Sequence, residues 1–214
     1  MVQAEIIRPD ALKPEDRAAW LALRASAEAF SSPLLGPDFA EAVGRVRSDA
    51  AIAVFRRNGR AVGFLPHHRR PGGLARPIGA PFSDYHALIA EPDLNAEDAL
   101  RVAGLREYRF AALIDPHGAF ASAQSRADEG HSIVVEGTGE TAGADYMEVL
   151  RAGSPKRFKN VRRLDHKMDR EVGAVSLIAP DQDPTAFETM FAWKREQFAR
   201  TGLHDVFHPR GPAT

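Results

Sequence analysis

One pair of residues in this sequence has the types and spacing needed for proton transfer. Asp84 and His86 lie two apart in the apolar segment DYHALIA, which predicts a β-strand from Asp84 to Ala90. Alternate residues of a strand point to the same face, so both side chains would lie together, with Tyr85 on the opposite face. A carboxylate that orients a histidine is the arrangement that general bases use. The alternative is that both residues only make hydrogen bonds at the end of the strand.

The strongest charge feature is a basic segment, residues 151–170, with eight Lys and Arg residues against two Asp residues. Ser154 predicts an N-cap and Pro155 the first helical position, and apolar residues recur at spacings of three and four, which predicts an amphipathic helix. A local positive field favours an anionic ligand or partner. The alternative is a solvated helix face. The residues that we predict to bind an anion are Lys156, Arg157, Lys159 and Arg163.

A further polar candidate lies in the segment WKREQ, within a helix that is predicted from Pro184 to Arg200. Lys194 is four residues from both Met190 and Phe198, which places it on or beside an apolar face, where a charge is costly unless it is paired. We predict that Lys194 and Gln197 contact a substrate. The alternative is a lysine at the edge of the core that keeps its amine in water.

The sequence offers few candidate residues for thiol chemistry, metal binding or nucleic-acid recognition. The chain has no cysteine, and therefore no thiolate nucleophile, disulfide or Cys-based metal site. His67 and His68 are adjacent and would point to opposite faces of a strand. His204 and His208 would share a face only in a helix, which neighbouring Gly and Pro residues discourage. We therefore predict no metal site, and no motif for reading nucleic acid is present.

The residues before about position 136 predict an alternation of helices and strands. Asn58-Gly59 predicts a tight hairpin turn between strands 50–57 and 60–66, because both turn positions need a positive φ. A short strand, residues 4–7, and two helices that begin at Pro14 and Pro37 precede the hairpin. The elements expected after strand 84–90 are helix 96–107, strand 109–114, helix 117–126 and strand 132–136.

The composition changes at residues 137–144, GTGETAGA, which predict a small-residue linker. Beyond it we expect helices from Asp145 and Ser154, one strand, 174–179, and the helix from Pro184. One strand cannot form a sheet alone, so residues 145–214 are expected to be the incomplete start of a larger domain. The last helix would have no sheet to cover its apolar side chains, which predicts an exposed apolar face and self-association. These side chains are Phe187, Met190, Phe191, Trp193 and Phe198.

The overall composition limits the class of protein. The chain has 214 residues, 28 basic against 29 acidic residues, and 44% hydrophobic residues, which is close to an average soluble globular protein. Charged residues near the N-terminus argue against a signal peptide, and no segment approaches the roughly 18 apolar residues of a membrane span. We expect a cytoplasmic protein of the α/β (α+β) class.

Three stretches of the sequence carry a resemblance to a known family. They are FRRNGRAVGFLPHHRR with FSDYHALI, then DYMEVLRAGSPKRFKNVRRLDHKMDREVGAVSL, and FAWKREQFARTGLHDVF. Together with the order of elements, they resemble the GNAT superfamily of N-acetyltransferases, and in particular its Fem-like branch of CelD-type enzymes of cellulose or exopolysaccharide biosynthesis. Members of that branch look like two GNAT-like halves in tandem.

The resemblance implies a GNAT-like mixed sheet with flanking helices at residues 1–136. Residues 145–214 would then be the helical opening of a second GNAT-like half that is truncated at its C-terminus. The implied activity is that of an acyl-CoA-dependent N- or O-acyltransferase, with acetyl-CoA or another acyl-CoA as co-substrate and a small molecule or glycan precursor as acceptor. The basic helix would hold the donor's phosphates, and Asp84 with His86 would deprotonate the acceptor. The alternative is a non-catalytic or inactive module that binds an anionic partner through the basic helix.

One loop matches a further GNAT pattern. GNAT enzymes bind the donor's pyrophosphate through a Gln/Arg-x-x-Gly-x-Gly/Ala loop at a helix N-terminus, and residues 70–75, RPGGLA, fit that pattern. Arg76-Pro77 and the strand-like residues after them leave no helix for the phosphates. The sequence therefore favours a surface turn at this position.

Overall fold

The structure is a computed structural model that describes residues 1–123 and 140–207, with side chains described in 1–123 and 146–207. The chain divides into two compact units, Met1–Glu129 and Gly130–Thr214. Within the described part of the chain, the first unit contains six strands and three α-helices, and the second contains three α-helices. This mixed sheet with flanking helices confirms the predicted α/β (α+β) class. No described helix is both long and apolar enough to cross a membrane.

The first unit alternates between strands and helices. Its strands are β1 (Val2–Ile7), β2 (Ala50–Arg57), β3 (Arg60–Arg70), β4 (Leu74–Pro77), β5 (Ile89–Ala90) and β6 (Glu107–Tyr108). Its α-helices are α1 (Pro14–Ala25), α2 (Pro37–Val46) and α3 (Ala96–Val102). Short 3₁₀ helices cover Pro9–Ala11, Glu28–Phe30, Pro33–Leu35, Pro71–Gly73 and Ala121–Ala123.

Strand β3 organises the sheet. The strand order is β1-β2-β3-β4-β6, and β5 also pairs with β3. β3 pairs with β2 along one edge, whereas β4 and β5 take successive parts of the other edge. All pairs are antiparallel except β4 with β6, which is parallel. The eleven residues of β3 therefore pair with three other strands, and β4 connects this antiparallel part of the sheet to β6.

The predicted hairpin is confirmed. Asn58 and Gly59 have φ angles of 52° and 80°, which are the left-handed values that a two-residue turn of this kind requires. One β-bulge between Phe55 and Arg56 shifts the register of β2 against β3. Because of this shift, Ala50 lies opposite His68 at the far end of the hairpin.

The core lies on both faces of the sheet. Along β2, Ile52 and Val54 pack into a cluster with Trp20 of α1, while Ala53 and Phe55 pack into a second cluster on the opposite face. The ring of Trp20 stacks on Phe64 of β3 with 4.9 Å between the ring centroids. Helices and loops cover both faces, so residues 50–55 of β2 and 61–66 of β3 are apolar without interruption instead of alternating with polar residues.

The structure corrects two predicted strands of the first unit. Of the predicted strand 84–90, only Ile89–Ala90 is regular, because β4 already occupies the neighbouring part of the edge of β3. The predicted strand 109–114 is irregular, since Ala112 has a φ of 52°, which an extended strand does not allow. The backbone of this segment pairs with the chain through an isolated bridge between Leu113 and His86 and through a hydrogen bond of 3.1 Å from Arg109 N to Ala75 O.

Two predicted helices are also corrected. The helix expected over 96–107 ends at Val102, because Gly104 turns the chain with a φ of 67°. Of the helix expected over 117–126, only Ala121–Ala123 is helical, as a 3₁₀ turn, and before it the Asp115 carboxylate accepts hydrogen bonds from the backbone N–H groups of Ala119 and Phe120 at 2.9 and 2.8 Å. Its last three residues and the predicted strand 132–136 lie outside the described residues.

The second unit is helical where it is described. Its helices are α4 (Glu140–Gly153), α5 (Pro155–Glu171) and α6 (Pro184–Thr201). α5 and α6 begin at the predicted prolines, and α6 ends at Gly202, whose φ is 68°. The expected side-chain cap of α5 is absent, since Ser154 makes no capping hydrogen bond.

Two further expectations for this unit differ from the structure. α4 begins at Glu140, before the predicted start at Asp145, so residues 140–144 of the predicted linker are helical, while 137–139 lie outside the described residues. The predicted strand 174–179 is wrong: these residues have no regular structure, because the described part of this unit offers no strand to pair with them. The domain boundaries 1–136 and 145–214 remain predictions.

Candidate functional site

The basic helix α5 carries its charges in an ordered way. Successive residues of an α-helix are about 100° apart, so Lys156, Lys159, Arg163, Lys167 and Arg170 fall within an arc of about 80°. We call these five residues the basic stripe. All five side chains are exposed. The sequence therefore brings three of the four predicted anion-binding residues onto one surface.

Arg157, the fourth predicted residue, is not part of the basic stripe. It lies about 100° from Lys156, among the apolar positions of Val161, Leu164 and Met168. These apolar side chains are themselves exposed in the structure. The predicted set therefore divides between two faces of α5.

The N-terminal part of α5 has an unusual electrostatic environment. Its first turn contains no acidic residue, although it contains Lys156 and Arg157. The positive end of the helix dipole and two cations thus share one region, an arrangement that is unfavourable unless an anion is nearby. In the part of the chain that the structure describes, Lys156, Arg157, Lys159 and Arg163 have no acidic partner within 4.0 Å, and Arg163 donates a hydrogen bond to the Asn160 amide oxygen at 3.1 Å.

Lys194 and Gln197, the predicted substrate contacts, touch each other on α6. Lys194 Nζ donates a hydrogen bond to Gln197 Oε1 at 3.0 Å and lies 5.4 Å from the centroid of the Phe198 ring. Both polar side chains are exposed. The lysine therefore lies at the edge of an aromatic surface, with its charge stabilised by the ring and the amide.

His86, the predicted base, is buried, and Asp84 is exposed. The backbone of His86 is fixed by the neighbouring segment, since Ile114 N donates to His86 O at 2.7 Å. Ser83 Oγ donates to the Ile78 carbonyl at 2.8 Å and lies 3.4 Å from His86 Nδ1. Among the described residues no hydrogen bond joins Asp84 to His86. Burial lowers the pKa of His86, and the Asp84 charge offsets this effect in part.

An aspartate does orient a histidine elsewhere in the first unit. His68 Nδ1 lies 3.1 Å from the Asp49 carboxylate, and the backbone N–H of Gly79 donates to His68 Nε2 at 3.0 Å. Asp49 also binds Arg47 and Arg70. The hydrogen bond from Arg47 is the main cause that lowers the pKa of Asp49 to about 2. Because both nitrogens of His68 are occupied, this pair holds the structure together and has no free position for a proton.

A cleft of the first unit lies over one face of the sheet, between the end of β3 and the segment that follows α3. Its volume is about 580 Å³, which is within the range of ligand sites. His67 and Arg69 of β3 line it, with Gly72 and Gly73 of the RPGGLA loop and Gly104. The loop is followed by β4, as the sequence predicts, so it supplies no helix N-terminus for a pyrophosphate.

The sequence suggests no role for His67 other than that of a metal ligand, and we predict no metal site. No group of His, Asp or Glu side chains in the described ranges is arranged to hold a metal ion. His67 is instead fully buried, and burial lowers its pKa. Its position beside the cleft depends on the register of β3, and no local pattern in the sequence indicates it.

One family of known proteins matches part of the chain. Residues 155–214 match the family model of the acetyltransferase (GNAT) domain. The matched segment starts at the first residue of α5 and covers less than a third of the chain. No curated protein and no solved structure matches the chain significantly.

The acetyltransferase match divides the candidate residues into two groups. The basic stripe, Lys194 and Gln197 lie inside the matched segment, whereas Asp84 and His86 lie outside it. The match supports the resemblance to the GNAT superfamily that the sequence indicates. The Fem-like branch of CelD-type enzymes stays a prediction. GNAT acetyltransferases use an acyl-CoA as co-substrate, which is a strongly anionic molecule.

Proposed function

We propose that this protein takes part in acyl transfer from an acyl-CoA, such as acetyl-CoA, to an amine or hydroxyl of an acceptor. The observation that carries the proposal is the position of the acetyltransferase match, which begins at the helix that bears the basic stripe. A small molecule or a glycan precursor of polysaccharide biosynthesis is the acceptor that we propose.

Lys156, Lys159 and Arg163 are proposed to bind the donor's phosphates, with Arg157 in a lesser role. Three cations on one helical face can meet several phosphate oxygens at once, and charge-assisted hydrogen bonds to phosphate are among the stronger polar contacts in proteins. The helix dipole acts in the same direction near Lys156. A bound polyanion would therefore relieve the repulsion that the first turn of α5 carries in the free protein.

The chemical step transfers an acyl group from sulfur to nitrogen or oxygen. The acceptor atom attacks the thioester carbonyl, the C–S bond breaks, and the proton that the acceptor loses ends on the CoA thiolate. His86 is proposed as the base that takes this proton first, and Asp84 as the charge that favours the resulting imidazolium. The lowered pKa of His86 keeps its ring neutral near pH 7, as a base requires. Lys194 and Gln197 are proposed to contact the acceptor.

Titration calorimetry of the full chain with acetyl-CoA tests the donor site. The test variant is Lys156→Ala/Lys159→Ala/Arg163→Ala, which removes three positive charges from the basic stripe. The matched control, Lys13→Ala/Arg45→Ala/Arg76→Ala, removes three exposed charges from the first unit. We expect saturable binding that the test variant weakens by at least about tenfold and the control leaves unchanged. Equal affinities in all three proteins would contradict the proposed site.

The proposed base is tested separately by thiol release from acetyl-CoA in the presence of candidate amines and amino sugars. If His86 accepts the proton, His86→Gln lowers the rate of turnover and removes the acidic limb of the pH profile. His166→Gln, a change at an exposed histidine of α5, is the control and leaves the profile as it is. A profile that His86→Gln does not alter would remove this residue from the mechanism.

A second function is favoured by the lack of any strand in the described part of the second unit. α5 would in that case bind an anionic protein partner without catalysis. Poly-glutamate is the probe for this function. Binding of poly-glutamate through the basic stripe, with no binding of acetyl-CoA by the folded chain, would favour the non-catalytic module.

A further inference from the structure

His67, which lines the cleft of the first unit, has a buried ring nitrogen with a defined role. His67 Nδ1 lies 2.9 Å from the carbonyl oxygen of Leu65. A carbonyl oxygen only accepts hydrogen bonds, so Nδ1 carries the proton, and Nε2 of the neutral ring is left with a lone pair. Nε2 is buried and has no hydrogen-bond partner among the described residues. It is therefore an unused acceptor, and it lies at the end of the ring away from the strand's own carbonyl.

A cation lies beside this acceptor. Arg69 is two residues from His67 on β3, so both side chains start from the same face, about 7 Å apart. Arg69 is exposed, and within residues 1–123 and 146–207 no carboxylate pairs with it. The neighbouring Arg70 differs, since its guanidinium binds Asp49 at 2.8 Å. Two neighbouring lining residues of the cleft thus supply one cation and one acceptor that have no partner among the described residues.

The rest of the lining leaves room for a ligand. Gly72, Gly73 and Gly104 present backbone in place of side chains, and Ile6 of β1 supplies an apolar wall. Nothing would lie within 4 Å of a Cβ added at Gly72 or Gly104. A buried acceptor without a partner has lost the hydrogen bond that it would make with water. A ligand that donates a hydrogen bond to it would therefore be favoured.

We propose that this cleft binds a small anion that carries hydroxyl groups, with the anionic group on Arg69 and a hydroxyl that donates to His67 Nε2. A phosphate ester or a carboxylate of a polyol has this chemistry. The site lies wholly in the unit Met1–Glu129, outside the acetyltransferase match, so it stands independently of the proposed function.

Titration of the full chain with glycerol 3-phosphate and with glycerate tests this assignment, and glycerol and inorganic phosphate serve as the separated halves of the ligand. We expect saturable binding of at least one hydroxylated anion, and affinities for glycerol and for phosphate that are at least about tenfold weaker. The stronger of the two ligands identifies the anionic group. Failure of the folded chain to bind either hydroxylated anion would overturn the proposal.

Variants locate the binding in the cleft. Arg69→Ala, a change at an exposed residue, and His67→Phe, which removes the acceptor, are each expected to weaken binding by about tenfold or more. Arg76→Ala, on β4 and not a lining residue of the cleft, is the control and should bind as the parent does. Unchanged affinity in Arg69→Ala would overturn the proposal even if His67→Phe failed to fold. The proposal would also be overturned if acetyl-CoA competed with the hydroxylated anion and Arg69→Ala weakened the binding of acetyl-CoA itself. The cleft would then bind the acyl donor.

Discussion

His68 and Asp49 are joined across the end of the β2–β3 hairpin by a hydrogen bond of 3.1 Å between Nδ1 and the carboxylate. The Gly79 N–H group occupies the other ring nitrogen at 3.0 Å. An aspartate–histidine pair is therefore present in the first unit, but it binds three segments of the chain together. The predicted pair of Asp84 and His86 has no such hydrogen bond among the described residues, where His86 Nδ1 lies 3.4 Å from Ser83 Oγ instead.

Replacing Asp49 should destabilise the first unit. Asp49→Asn removes the charge that Arg47, Arg70 and His68 share, and we expect a loss of about 1–2 kcal/mol in the free energy of unfolding near pH 7, after allowance for screening by water. The pKa of Asp49 is below that of an unfolded chain. This contribution is therefore complete above about pH 4 and is lost as the pH falls toward about 2.

Urea unfolding at several pH values checks the prediction for Asp49. The fluorescence of buried Trp20 reports on the first unit if exposed Trp193 is replaced by Phe. Asp10→Asn, at an exposed carboxylate paired with Arg8 at 3.4 Å, is the control and should have little effect. A difference between parent and Asp49→Asn that stays constant from pH 7 to pH 3 would be inconsistent with this role.

The first unit should lose stability as the solution becomes mildly acidic. Burial lowers the pKa values of His67, His68 and His86, so the unfolded chain binds protons before the folded chain does. Stability from these residues is complete above the unfolded pKa of about 6.5 and falls below it. The urea midpoint should thus decrease from about pH 7 to about pH 5, and less steeply in His67→Phe. A midpoint that is flat or rises over this range would refute the prediction.

The ion pair between Asp16 and Arg56 should be a major contributor to stability. Arg56 donates to both oxygens of the buried Asp16 carboxylate at 2.8 and 2.7 Å and so joins α1 to β2. Asp16→Ala leaves a half-buried guanidinium with Glu5 as its one remaining acidic partner in the described part of the chain, at a cost of about 3 kcal/mol in the free energy of unfolding. Asp38→Ala, at an exposed partner of Arg17, is the matched control. Equal stabilities of the two variants would show that burial does not matter here.

Helix α6 should cause the protein to associate with itself. Phe187, Met190 and Trp193 are 61%, 51% and 70% exposed, while Phe191 packs between Phe187 and Phe207. Light scattering should show a mass above that of the monomer, and Phe187→Gln/Trp193→Gln should lower it. Val46→Gln, at an exposed apolar residue of the first unit, is the control. A monodisperse parent monomer would contradict this expectation.

The sequence predicts those turns and helix starts that depend on one or two neighbouring residues. Asn58-Gly59 determines the hairpin through its positive φ values, and prolines determine the first residues of α1, α2, α5 and α6. The strand predicted over 109–114 fails because Ala112 adopts a left-handed conformation that no residue type announces. The turn at Asp115 satisfies two backbone donors that a helix would otherwise use, and the aspartate in DPHG was a usable signal for it.

The candidate sites also differ in whether they depend on neighbouring residues or on the pairing of distant strands. The basic stripe follows from residue spacing on one helix and is predictable from the sequence alone. The His68–Asp49 contact and the place of His67 beside the cleft depend on a register that the bulge at Phe55/Arg56 shifts by one residue. Apolar patterning does not reveal this bulge, because both faces of β2 and β3 are buried. The contacts of these two histidines are therefore seen only in the structure and cannot be predicted from the sequence.

The central claim is that the basic stripe of α5 holds the phosphates of an acyl-CoA. Comparing the affinities of the parent chain for acetyl-CoA and for acetyl-pantetheine, which shares the thioester but lacks every phosphate, tests it most directly. The account predicts that acetyl-CoA binds at least about a hundredfold more tightly and that added salt reduces this ratio. Equal affinities for the two thioesters, or a ratio that salt leaves unchanged, would contradict it.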